Sequence, residues 1–286
     1  MRNNQLHHFP FQMILVLVSS LLLHMQADAK PKIVVSINPV ADIVSMLTEN
    51  NADIVTINTS KGCPHHYQMK PSDSEKIVGA NMLIYIDDNF DVAAKRLADK
   101  FDGATVKISD IGSINFLDEN GAQNWHFWLN LDNVLSLQEE LATLITKAIP
   151  ELETVVMSNK NKARSKIEDL IQTKKRELTS LAQLVIVSDS LEHFFQGMDI
   201  DTVKLYQKTS FSLKDYARLE RIFNTETPQC VVVDSSQNTG SYEKFNKKII
   251  QIDSENWGED GNTNNPFIAK YLKIISNLKN CTINQR

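Results

Sequence analysis

The stretch ELETVVMSNKNKARSKIEDLIQTKKRELTSLA, from Glu151 to Ala182, contains neither glycine nor proline. Its apolar residues recur near helical spacing, and basic residues fill positions between them. A helix of this length would extend over about 40 Å, which is longer than one small domain is wide. The apolar positions do not keep the heptad repeat of a coiled coil, because the run from Ser158 to Lys162 interrupts them. The sequence therefore predicts a bridging helix over residues 151–182, with a lobe on each side.

Short apolar runs alternate with helix-period segments on both sides of that helix, which is typical of parallel α/β sheets. The N-terminal lobe should span residues 30–150 and the C-terminal lobe residues 183–286. We expect strands at 33–37, 54–57, 82–86 and 106–108 in the first lobe, and at 184–187, 203–206, 231–233 and 249–252 in the second. The predicted fold class is α/β, with two lobes, each a mainly parallel sheet with flanking helices, bridged by one long helix.

The N-terminal residues have the features of a secretory signal peptide. Arg2 precedes an apolar run from Met13 to Met25, and Ala27-Asp28-Ala29 offers small residues for cleavage. The apolar run is too short and too soon interrupted for a stable membrane span, although an uncleaved anchor is the alternative. No cysteine directly follows the cleavage site, so we expect no lipid anchor there. Residues 1–29 are thus predicted to be removed, which leaves the mature protein in a periplasm or outside the cell.

The charge balance argues against nucleic-acid binding. The chain has 30 lysines and arginines against 35 aspartates and glutamates, and it has no basic cluster. A mildly acidic balance is compatible with a cationic ligand.

The cysteines, Cys63, Cys230 and Cys281, allow at most one bridge within the chain in an oxidising compartment. Cys230 leads into a strand and Cys281 follows the last helix, so these two form the expected pair. Cys63 would then be a free thiol, either packed like an ordinary apolar residue or available to a soft metal.

Two adjacent histidines, His65 and His66, lie in a loop just before a predicted helix. Ser72 and Glu75 have the spacing of a capping box, which places the start of that helix. Loops of this kind often carry binding residues in α/β folds. Adjacent loop histidines are also common on protein surfaces, so the pair alone is weak evidence for a metal site.

His126 lies in the run NWHFWL between Trp125 and Trp128, which predicts an apolar wall with one polar group directed out of it. Once the signal peptide is removed, His193 is the only other histidine beside the loop pair. This scarcity favours histidines that are placed for a purpose.

Acidic residues follow three predicted strands of the second lobe: Asp189, Asp234 and Asp253. Ligands of open α/β sheets bind beyond the carboxyl ends of the strands, so a cleft between the lobes is the expected site. We expect His65 and His126 of the first lobe to meet Asp189 and Asp253 of the second. Two imidazoles with two carboxylates suit a borderline divalent transition metal better than calcium, magnesium or copper(I).

Four motifs carry a family resemblance: PHHY (64–67), NWHFWL (124–129), SDSLEHFF (188–195) and IDS (252–254). Together, and in this order, they resemble the periplasmic zinc- and manganese-binding solute receptors of ABC metal importers, the cluster A-I family. The resemblance extends over almost the whole mature chain. It implies two α/β lobes, a bridging helix and one metal ion between the lobes.

The resemblance also implies a role for each matched residue. The family's two histidine ligands fall on His65 and His126, and its last aspartate falls on Asp253. The third ligand is histidine in many zinc-type members and glutamate in many manganese-type members, whereas this chain has Ser188-Asp189 there. We align Asp189 with that position and keep His193 as the alternative.

The function implied is high-affinity capture of one divalent ion, with zinc favoured over manganese, and its delivery to an ABC permease in the inner membrane by a monomer that is not an enzyme. The histidine-rich loop of many zinc-type members is missing, because residues 117–123 contain no histidine. Many such members pair two cysteines in the second lobe, as Cys230 and Cys281 could.

Two other classes of protein remain open at this point. A secreted metallohydrolase would need an open coordination position and a general base; Glu192 could be such a base, but no helix carries two ligands around it. A metal-dependent adhesin would bind metal without transporting it.

Overall fold

Two four-stranded sheets, connected through a long helix, organise the chain in the computed structural model, which describes residues 29–59, 67–205, 212–225, 228–255, 257 and 265–281. The strands of the first sheet are β1 (Lys32–Ile37), β2 (Asp53–Asn58), β3 (Met82–Tyr85) and β4 (Ala104–Lys107). Those of the second are β5 (Gln183–Ile186), β6 (Asp201–Lys204), β7 (Cys230–Asp234) and β8 (Lys248–Ile252).

Helices flank both sheets. In the first lobe they are α1 (Asn38–Thr48), α2 (Asp73–Lys76), α3 (Val92–Ala98) and α4 (Leu131–Ala148), and α5 (Glu153–Leu178) then leads to the second lobe. The second lobe has α6 (Glu192–Phe195), α7 (Leu213–Thr225), α8 (Gly240–Glu243) and α9 (Pro266–Lys279).

The two sheets have the same topology. Their strand orders are β2-β1-β3-β4 and β6-β5-β7-β8, and every pairing is parallel. The carboxyl ends of all strands in a sheet therefore lie along one edge, where binding residues are expected. The predicted fold class is confirmed.

The long helix α5 has one buried stripe: Val156, Asn159, Ala163, Ile167, Leu170, Lys174 and Leu178. This stripe packs on α1 and α4 of the first lobe and on α9 of the second. Two polar residues of this stripe, Asn159 and Lys174, each form a hydrogen bond to one of the two lobes. Asn159 donates to the backbone carbonyl of Leu47, 3.1 Å away, and the Lys174 ammonium donates to the carbonyl of Phe194 and lies 4.2 Å from the centre of its ring. Burial lowers the pKa of Lys174 to about 7.

A single apolar cluster runs through both lobes, from α1 and β1 across α5 to Phe194 and Tyr271. The Tyr271 hydroxyl donates to the carbonyl of Leu129, which lies in the first lobe, at 2.7 Å. The residues from Pro31 onward accordingly form one compact unit.

The expected disulfide is confirmed: Cys230 on β7 is bonded to Cys281 just beyond α9, across 51 positions of sequence. Both cysteines are buried. Cys63 lies outside the described residues. In the described part of the chain, no helix has the length and apolarity needed to cross a membrane.

The prediction of a capping box at Ser72 is wrong, because the Ser72 side chain makes no cap hydrogen bond. The buried carboxylate of Asp73 organises this turn instead. Its Oδ2 accepts from the Lys70 N–H at 2.7 Å and from the Tyr67 hydroxyl at 2.8 Å. A carboxylate one residue later thus fixes the loop end that follows the two histidines.

Candidate metal centre

His126 lies on the segment between β4 and α4 and is 7% exposed. Trp128 packs against its ring with centroids 5.2 Å apart, and Phe90 approaches at 6.4 Å. The predicted apolar wall around this histidine is therefore present, with Trp128 fully buried and Trp125 half-buried. The other first-lobe candidate, His65, lies outside the described residues, as does His66.

Asn124 determines which ring nitrogen of His126 faces the cleft. Its side-chain amide donates to the backbone carbonyl of Asp189 at 2.8 Å, so its Oδ1 must be the atom facing His126. That oxygen accepts from the His126 backbone N–H at 3.1 Å and lies 2.9 Å from ring Nδ1. Nδ1 therefore carries a hydrogen, and Nε2 is the nitrogen that can bind an ion.

Glu255 faces that nitrogen from the second lobe. Its Oε1 lies 2.9 Å from His126 Nε2, and the glutamate is 8% exposed. No sequence motif singled out this residue, which follows the predicted ligand Asp253 by two positions. The signal that could have identified it is an acid in the loop after β8, at the carboxyl edge of the sheet.

The predicted second-lobe ligands, Asp189 and Asp253, are both exposed and follow the strands β5 and β8. The Asp253 carboxylate accepts from the Glu255 N–H at 3.3 Å. Asp189 is connected to the site through its backbone carbonyl, which Asn124 binds. The Asn124 side chain contacts both the Asp189 carbonyl and the His126 ring, so Asp189 lies near His126.

A buried network of hydroxyls lies behind these acids, at the carboxyl ends of β5, β7 and β8. The Asp234 carboxylate accepts from the backbone N–H and the hydroxyl of Ser254, and from the N–H of Ser236 at 2.8 Å. Ser190 continues the network, with its hydroxyl 2.9 Å from Ser254 Oγ and 2.7 Å from that of Ser188. Asp234, the third strand-end acid, is therefore a buried anchor for this loop.

Ser254 also joins the two walls of the site. Trp128 donates its indole N–H to the Ser254 carbonyl at 2.9 Å. The residue before Glu255 is thus held by the second lobe through its N–H and by the first lobe through its carbonyl. This arrangement directs the Glu255 side chain towards His126.

His193, the alternative third ligand, is fully buried. Its Nε2 lies 3.0 Å from the carbonyl oxygen of Asn124, and its Nδ1 lies 3.0 Å from Gln196 Oε1. Burial lowers the pKa of this imidazole. Because protein oxygens face both of its nitrogens, the contacts favour a structural role for His193.

Asp73 anchors the described segment that begins at Tyr67, just after the two histidines in sequence. Asp73 is fully buried, and burial alone would raise its pKa, but the Lys70 N–H, the Lys76 ammonium and the Tyr67 hydroxyl together lower it. Asp73 is thus an ionised anchor that holds Tyr67. A small cavity lined partly by Ser36, Tyr67 and Asp91 lies beside it.

Across the described residues, no three or more histidine, cysteine, aspartate or glutamate side chains come close enough together to hold a metal ion. Among the described residues, His126 and Glu255 are a pair on opposing lobes. A buried imidazole nitrogen and a carboxylate oxygen are two of the donor types that a borderline divalent cation takes.

Comparisons with known proteins agree with this chemistry. The family model described as "ZnuA: Zinc-uptake complex component A periplasmic" matches residues 33–281. "Uncharacterized protein RP014" of Rickettsia prowazekii is 34% identical over 273 residues, covering 95% of this chain and 90% of that protein. The manganese ABC transporter substrate-binding lipoprotein PsaA of Streptococcus mitis is 22% identical over 180 residues, or 58% of each chain.

The fold is also found among solved structures. The periplasmic zinc-binding protein TroA of Treponema pallidum superposes with a TM-score of 0.75 at 15% identity, covering 88% of this chain and 99% of that one. That similarity establishes the two-lobed fold alone. The family match over nearly all of the described fold is the stronger finding, and by it the chain belongs to the ZnuA family of periplasmic metal-binding receptors of ABC importers.

Proposed function

We propose that this receptor captures a single divalent transition-metal ion, with zinc favoured over manganese, and delivers it to an ABC permease in the inner membrane. The observation that carries the proposal is His126, a buried imidazole whose Nε2 is directed across the lobe interface at a second-lobe carboxylate. A buried nitrogen of this kind favours a borderline metal over calcium or magnesium, which prefer oxygen ligands.

The ligands proposed from the family motifs are His65, His126, Asp189 and Asp253. Residues 1–29 are proposed to be removed on export, which leaves lobes of residues 30–150 and 183–286 joined by residues 151–182. The receptor is proposed to act as a periplasmic monomer without enzymatic activity. A receptor that must hold and then release its cargo is best served by a site closed by protein ligands, whereas a hydrolytic metal keeps a water position open.

Zinc and manganese titrations of the purified mature protein test this function. We expect one tightly bound ion per chain and no hydrolytic turnover. His65→Ala and His126→Ala should each weaken zinc binding by about 100-fold or more, equivalent to about 2.7 kcal/mol. His66→Ala is the matched control, because it removes a neighbouring imidazole that the motif does not assign, and we expect unchanged affinity.

Binding should be weaker at pH ~5, because protons compete with the cation for imidazole nitrogens. Undiminished affinity at that pH would contradict the histidine assignment. Hydrolysis with a saturable rate would favour a metallohydrolase, and an absence of any bound ion would favour an adhesin. Elemental analysis of protein purified from its own compartment, with competition between the two ions, decides between zinc and manganese.

A further inference from the structure

The acid that the second lobe presents to His126 is neither of the two that the motifs assign. Glu255 approaches His126 Nε2 to 2.9 Å from a buried position, whereas the Asp189 and Asp253 side chains are exposed. Since Asn124 Oδ1 holds Nδ1, the nitrogen facing Glu255 is the one that an ion would use.

The position of Glu255 is fixed by the backbone before it. The Ser254 N–H donates to Asp234 Oδ2 at 3.0 Å, and the Ser254 carbonyl accepts from Trp128. The Glu255 N–H in turn donates to the Asp253 carboxylate. Hydrogen bonds from both lobes thus fix the backbone around Glu255, and the fold thereby sets the direction of its side chain.

We infer that Glu255 is a direct ligand of the captured ion, in addition to the residues that the sequence motifs assign. The inference rests on the proposed metal-receptor function and names one more residue of its site. Glutamate is one methylene longer than aspartate, so it can reach from the strand-end loop to the opposite wall.

The spacing of the pair fits coordination after a small adjustment. Zinc bonds of about 2.0–2.2 Å at tetrahedral angles separate a nitrogen and an oxygen ligand by about 3.4 Å. The observed separation of 2.9 Å is a hydrogen-bond distance, so an ion entering between the two atoms must displace the shared proton to solvent and move the atoms apart by about 0.5 Å. His126 and Glu255 therefore form two adjacent corners of a coordination shell that is nearly preformed.

The test compares Glu255→Gln with Glu220→Gln, which makes the same change at an exposed glutamate of α7 outside the site. Zinc affinity is measured by competition with a chelator, and cobalt(II) provides a visible spectrum that reports the ligands of the bound ion. We expect Glu255→Gln to weaken zinc binding by about 100-fold and to change the cobalt spectrum, and Glu220→Gln to do neither. Glu255→Asp, which keeps a carboxylate at shorter reach, should give an intermediate affinity.

Each outcome bears on a different claim. Wild-type protein that binds no ion would overturn the proposed function and this inference together. Wild-type binding with equal affinity in Glu255→Gln would overturn the inference alone, and tighter binding in that variant would show that Glu255 competes with the ion for His126. Weaker binding with an unchanged cobalt spectrum at saturation would assign Glu255 a positioning role and would also overturn it.

Discussion

The two lobes share a strand order but build their walls of the site in different ways. The first lobe surrounds His126 with aromatic rings, among them the buried Trp128 and Phe90. The second lobe fixes its acidic loop with hydrogen bonds, through Asp234 and Ser254. One topology can therefore hold an imidazole by packing and a carboxylate loop by a polar network.

The largest effect should come from the packed wall. Trp128→Ala removes a fully buried ring together with the N–H that binds Ser254, and we expect a loss of about 3–5 kcal/mol in the free energy of unfolding. Metal affinity should fall with it, because the His126 ring loses its support. Denaturant unfolding and zinc titration measure both quantities.

Trp125→Ala is the matched comparison, since this half-buried ring contacts Phe90 and Phe116. We expect it to cost less stability than Trp128→Ala and to soften the site without abolishing binding. Unchanged affinity in both variants would show that the aromatic wall does not support the metal ligand.

The second effect concerns a buried carboxyl group of the first lobe. Burial raises the pKa of Asp91 to about 7, although its Oδ2 accepts the Ile86 N–H at 2.6 Å. The folded state therefore binds this proton more tightly than the unfolded state. The stability that the folded state gains from this proton is complete below about pH 4 and is lost as the pH rises through 7.

Asp91→Asn should remove that part of the pH dependence, because the amide oxygen can still accept the Ile86 N–H without a charge. We expect the variant to gain on the order of 2 kcal/mol relative to wild type between pH 5 and pH 8. Metal-free unfolding curves at several pH values measure it. Parallel curves for the two proteins would show that Asp91 does not titrate in this range.

The smallest effect is expected in the polar wall. Ser254→Ala removes the hydroxyl that binds Asp234 and Ser190 and keeps the backbone bonds, so stability should fall by only about 1 kcal/mol. Zinc affinity should nevertheless fall by roughly ten-fold, because the loop carrying the acidic ligands is less well positioned. The exposed Ser235 gives the control variant Ser235→Ala. A loss of stability without a loss of affinity would make the network purely structural.

The fold could be predicted from the sequence because each element has a local signature. Alternating apolar strands and helix-period segments predicted two parallel sheets, and the glycine-free stretch predicted α5 between them. The strand-end acids Asp189, Asp234 and Asp253 also follow β5, end β7 and follow β8, as expected. These features depend on near neighbours in the sequence.

The details of the site could not be predicted, because they depend on contacts between distant segments. Glu255 points at His126 since Trp128 and Asp234 fix the backbone of Ser254, and these residues are far apart in the chain. The anchor at Asp73 was missed for a different reason: the sequence pattern pointed to Ser72 as the cap, whereas the carboxylate beside it accepts from Tyr67 and Lys70. The type of each of these residues is compatible with several roles, and its contacts in the folded protein decide between them.

The disulfide between Cys230 and Cys281 stabilises this receptor, and its formation adds an oxidation step to the maturation of the chain. It fastens a strand of the second sheet to the residue beyond the final described helix, so it can close only after that helix has been synthesised and has packed in place. Closing a loop of 51 positions restricts the unfolded chain by about 4 kcal/mol on a chain-entropy account. A copy kept under reducing conditions would lack this bond and would be more open to proteases.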